Sequence, residues 1–139
     1  MKMSMNDRKR EKDMKKLHGV LLKHYEGHWK TEEVDVKLDR ITELLGCEVF
    51  DTIKVKFGKH TITVVCDDMC LINNPDNPSL VITKRGSKEI LQPLTGNLFF
   101  CIESRGLTKE EVEAITENHG FVTNQYGKIS EVLVCESKY

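Results

Sequence analysis

The sequence predicts an α+β fold: a single domain built on a mostly antiparallel β-sheet with two short helices, preceded by a charged N-terminal arm. Three observations predict it. Apolar and polar residues alternate through EVFDTIKVKF and HTITVVC, the period of strands with one buried face. Two other segments, KLDRITELLG and LTKEEVEAITENHG, carry helical spacing and end signals. A chain of 139 residues supplies one core and not two. The arm is assigned to residues 1–16 and the domain to residues 17–139.

In the arm, Arg8, Lys9, Arg10, Lys12, Lys15 and Lys16 outnumber Asp7, Glu11 and Asp13, and its only large apolar residues are Met1, Met3, Met5 and Met14. Such a segment reads as a solvated tail or frayed helix. Its basic residues are also the candidate contact to an acidic partner or a phosphate backbone. LHGVLLKHY and HWKTEEVDV then read as two strands joined at Glu26–Gly27. In KLDRITELLG, Leu38, Ile41, Leu44 and Leu45 share a helical face. Asp35 is the expected N-cap, and Gly46 the left-handed terminator.

The alternating pair follows, with Ile53, Val55 and Phe57 on one side of the first strand and Ile62, Val64 and Cys66 on one side of the second. Gly58-Lys59 between them suits a type II′ turn. SLVITK and GNLFFCIES are the next strands, with RGSKEILQPLT as their connector. In the second helix Thr108 and Glu111 form a capping box, Leu107 and Val112 occupy the hydrophobic-staple positions, and Gly120 is the expected end. Val112 and Ile115 face inward. ISEVLVC is the last strand, in a hairpin across Gln125 to Gly127.

Composition narrows the function. With 39% hydrophobic residues, 31% charged residues and a net charge of −1, the chain is neither a strongly acidic mimic of DNA nor a globally basic nucleic-acid binder. No apolar run is long enough to span a bilayer, and the N-terminus lacks a secretory pattern. A soluble, cytoplasmic protein is expected. The five cysteines, Cys47, Cys66, Cys70, Cys101 and Cys135, are odd in number and mostly flanked by apolar residues, as reduced core thiols are.

Cys66 and Cys70 form one C-x₃-C pair, whereas a structural zinc site closes a shell of four ligands. They are read as core thiols, with no metal and no cofactor. His18, His24 and His28 are read as histidines of a solvated hairpin, and His119 as lying beside a helix C-terminus. No nucleophile elbow, P-loop or dinucleotide fingerprint is present, so the expectation is a protein that is not an enzyme. The loop Asp67, Asp68, Asn73, Asn74, Asp76 and Asn77, with Pro75 and Pro78, has the chemistry of turns. It is also where a rigid sheet would present a ligand-binding loop.

An early hairpin, a helix closing on LLGCEVF, a strand running into DDMCLINNPDN, then LTGNLFFCIE and LTKEEVEAI give residues 17–122 an order that resembles domain-of-unknown-function family 3846. Gly96, Phe99 and Phe100 before the last helix, and Leu107 to Glu111 at its start, match the family's texture. The loop departs from it, with Asn77 before Pro78 and no arginine. The resemblance implies a small accessory protein of phages or mobile elements. The expected function is therefore binding of a host protein, with inhibition of a defence system as its context. The alternatives are binding of a small nucleotide-like ligand, or of nucleic acid through the basic arm.

Overall fold

In the hairpin of β3 (Phe50–Phe57) and β4 (His60–Asp67), Phe57 pairs with His60, which leaves a two-residue turn. Gly58 has φ 63°, and among the described residues only glycines take positive φ, so Lys59 does not. That combination is the type II′ turn expected from the sequence. The computed structural model describes residues 16–25, 28–73, 75–123 and 126–139. The expected basic contacts Arg8, Lys9, Arg10, Lys12 and Lys15, and Asn74 of the polar loop, lie outside the described residues.

The other strands are β1 (Leu17–Tyr25), β2 (His28–Val36), β5 (Pro78–Thr83), β6 (Ile90–Thr95), β7 (Leu98–Cys101), β8 (His119–Thr123) and β9 (Ile129–Ser137). They form one sheet in the order β2-β1-β7-β4-β3-β9-β5-β6, with β8 paired to β9. Every pairing is antiparallel except β5 with β9. Leu133 faces both His119 and Leu80, and Glu136 faces both Lys56 and Thr83. Hence β8 and β3 follow one another along the same edge of β9, opposite β5. Trp29 of β2 donates its indole N–H to the Glu131 carbonyl at 2.8 Å and stacks on His119 at 5.3 Å. These contacts tie the first hairpin to the last.

Alternation along the strands builds two apolar faces. One gathers Val20, Leu22, Val55, Phe57, Ile62, Val64, Leu98, Phe100 and Leu133 under Ile115 of helix α3 (Lys109–Thr116). The Phe57 and Phe100 rings meet edge to face at 5.7 Å. The other face sets Leu21, Val65, Phe99 and Cys101 against Ile41 and Leu45 of helix α1 (Ile41–Leu45). Each fully buried phenylalanine contributes roughly 1.5–3 kcal/mol relative to exposure. Gly19 is forced where β1 pairs with β7: a Cβ there would collide with the Phe100 carbonyl oxygen and come within 2.6 Å of the Phe99 ring.

The structure corrects several expectations. Asp35 does not cap α1. It belongs to β2, and the helix is entered through a 3₁₀ turn at Leu38–Arg40 with no side-chain cap, leaving Leu38 47% exposed. Gly46 does end α1, at φ 71°. The segment between β5 and β7 is not a plain connector but contains β6. The polar loop holds a one-turn helix, α2 (Cys70–Asn73). Helix α3 stops at Thr116, and Gly120 lies in β8, where a side chain would meet Val134 at 2.6 Å. Its capping box forms as expected, with Glu111 N–H on the Thr108 hydroxyl at 3.2 Å and Thr108 N–H on the Glu111 carboxylate at 2.8 Å. No helix among the described residues is long and apolar enough to cross a membrane.

Candidate functional site

Asp67, at the end of β4, spends its carboxylate locally. One oxygen accepts the Met69 N–H and the other the Asn73 side-chain amide, both at 2.9 Å. The first bond forms an Asx turn that leads into α2. The second closes that turn, and the Asn73 N–H on the Met69 carbonyl at 2.8 Å completes it. Asp68 is exposed, and its N–H donates to Val49 at 3.0 Å. Asn77 accepts the Gly96 N–H on its carbonyl at 2.9 Å. Asp76 is exposed and borders a small cavity with His24, His28 and Trp29. The loop residues are spread over one turn and two sheet junctions: Asp67, Asn73 and Asn77 line one cavity of about 390 Å³ beside His24 and Asn97, whereas Asp76 borders a different one.

What this arrangement does is push an apolar turn outward. Cys70 is buried and anchors α2, and the Thr95 hydroxyl of β6 donates to its carbonyl at 2.6 Å. Met69, Leu71 and Ile72 then stand 47%, 53% and 69% exposed. They border a depression of about 470 Å³ floored by Ile53, Cys66, Cys70 and Leu94. Its charged lining residues are all acidic: Asp51, Asp67 and Asp68. Strand β6 ends the sheet beside it and exposes Ile90 and Leu91. The apolar residues of this patch were not singled out in the sequence. The available signal was Met69, Leu71 and Ile72 standing inside an otherwise polar loop.

The thiols beneath are inert by environment. Burial first, then the neighbouring Cys70, pushes the Cys66 thiol up to about 12. Burial does the same to Cys101 and Cys135. All five cysteines are free, four of them buried. A thiol held so far above neutrality is protonated and a poor nucleophile.

The histidines separate. His18 lies between two carboxylates, 2.6 Å from Asp35 and 3.1 Å from Glu33, and these hydrogen bonds raise its pKa. The His24 side chain is shifted the other way, chiefly by burial. His119 bonds Glu131 at 2.5 Å from the start of β8. Of the basic arm, Lys16 is exposed at the entry to β1, on the opposite face of the sheet from the depression. Comparison with family models, with curated proteins and with solved structures gives no match.

Proposed function

We propose that the protein is a non-enzymatic binding module that docks on a partner protein through the patch formed by α2 and β6. The observation that carries this is the outward presentation of Met69, Leu71 and Ile72 by a turn whose polar groups are already satisfied. Leaving several large apolar side chains in water is unfavourable, and surfaces of this kind mark interaction sites. The acidic rim of Asp51, Asp67 and Asp68 favours a partner surface with apolar anchors and flanking lysine or arginine. A host protein as that partner, met by an accessory protein of a phage or mobile element, is the context that the family resemblance supports.

The test is affinity capture from a bacterial lysate with three tagged forms: wild type, the double variant Leu71→Glu/Ile72→Glu, and a chain lacking Met1 to Asp13. A stoichiometric partner retained by wild type and by the truncated chain but lost by the double variant supports the reading. Loss from the truncated chain alone would transfer the contact to the basic arm.

A further inference from the structure

Five polar or charged side chains are buried among the described residues: Thr63, Ser79, Thr83, Thr95 and Glu111. Four of them are hydrogen-bonded. Ser79 donates to the Gly96 carbonyl, Thr83 to that of Cys135 and Thr95 to that of Cys70, while Glu111 is held by Arg105. Thr63 is 5% exposed, and among the described residues its hydroxyl has no partner. A hydroxyl that no protein group engages, on a residue otherwise buried, is free to donate to or accept from a bound molecule.

Thr63 sits in β4 between Lys54 of β3 and Cys101 of β7. It faces away from the larger core, because Ile62 and Val64 take that side. On its own side, the 3₁₀ turn and α1 cover only part of the sheet. Between them and the turn at 102–106 lies a cavity of about 470 Å³ lined by Thr63. Its apolar wall is Leu17, Leu38, Ile41, Phe50, Val65 and Cys101. This combination, an apolar pocket of a few hundred Å³ with a small number of polar groups, is that of small-molecule sites. No buried side-chain N or O atom sealed from solvent lacks a partner, so the Thr63 hydroxyl opens into the cavity.

The charges around the mouth select the class of ligand. Lys16 and Arg105 are opposed by Glu103, and Arg105 is already engaged by Glu111 at 2.7 Å. The rim therefore balances, which favours an uncharged molecule over a carboxylate or an amine.

We propose that this cavity is a second, separate binding site, for an uncharged, mainly apolar small molecule whose one hydrogen-bonding group reaches Thr63. The apolar body covers Phe50, Val65 and Ile41, and its polar group bonds the Thr63 hydroxyl in place of water.

The experiment titrates the full-length protein with 2-naphthol, naphthalene and 2-naphthoate while following methyl chemical shifts. The expected result is saturable shifts at Ile41, Val65 and Leu38 with 2-naphthol, and weaker binding of the other two. Thr63→Val removes the hydroxyl and is expected to weaken 2-naphthol by about three- to tenfold, the range for one neutral hydrogen bond. It should leave the thermal midpoint of the ligand-free protein unlowered, because the hydroxyl makes no hydrogen bond to a protein group. Ser104→Trp, at an exposed turn position lining this cavity and not the Met69–Ile72 depression, should block binding without unfolding the chain. Shifts confined to the Met69–Ile72 patch, equal affinity for naphthalene, or unchanged affinity in Thr63→Val would each overturn the proposal.

Discussion

Arg105 grips Glu111 through two parallel hydrogen bonds, at 2.7 and 2.9 Å, and a third bond brings the Thr108 N–H to the same carboxylate at 2.8 Å. One side chain thus joins the turn after β7 to the cap of α3. The Arg105 guanidinium above all, with Thr108 behind it, holds the buried Glu111 carboxyl down at about 2 against an ordinary 4.5. A depressed carboxylate stabilises the fold above its unfolded pKa and loses that contribution as it is protonated.

Wild-type stability is therefore expected to fall as pH drops from 4.5 through 2. Discounted for the half-exposed arginine, the loss is roughly 2 kcal/mol. Glu111→Gln should be less stable at neutral pH and nearly flat across that interval. Urea unfolding at a series of pH values measures both; an equally steep acid loss in the variant would place the effect elsewhere.

His18 works with the opposite sign. Its pKa is raised, first by the hydrogen bond to Asp35 and then by that to Glu33. Its contribution is present below 6.5, the unfolded value, and fades as pH climbs through the raised one. All three groups are substantially exposed, so the effect on stability is small. An NMR titration of the ring should show Asp35→Asn lowering the pKa more than Glu33→Gln does.

Two glycines separate steric need from backbone need. Gly19→Ala drives a methyl into the Phe100 carbonyl and the Phe99 ring, and overpacking of this kind costs about 3 kcal/mol. Gly46→Ala meets nothing within 4 Å but must adopt φ 71°, which costs about 1 kcal/mol. Chemical denaturation of the two variants ranks them, and the reverse order would contradict the close approach of β1 and β7.

The legible features of this chain were the local ones. Thr108 and Glu111 are three residues apart and cap a helix by themselves, and Gly58-Lys59 closes a turn between strands already marked by alternation. Features that depend on distant chain were misread. Asp35 resembled an N-cap, yet β1 brings His18 beside it. Gly120 resembled a helix end, but it lies in β8, where packing against Val134 leaves no room for a side chain. Strand β6 lies at the sheet's edge, carries Pro93 and leaves Ile90 to Pro93 exposed, so most of its sequence shows no alternation with a buried face. The apolar patch and the Thr63 cavity had still less signal. Each is assembled from strands and turns far apart in sequence.

Thiol labelling checks the account of the cysteines. Cys47 is half-buried, whereas the other four are buried. At pH 8 the native protein should react with a disulfide reagent such as DTNB at Cys47 first, with all five thiols reacting only after denaturation. Rapid labelling of Cys66 in the native state would contradict its burial.

The most direct test of the binding role is amide hydrogen exchange on the protein with and without its captured partner. The account predicts that protection on binding is concentrated at Cys70–Asn73 and Ile90–Thr95, the helix and edge strand that carry the exposed apolar residues. Protection confined to the first sixteen residues, or to the turn beside Thr63, would contradict it.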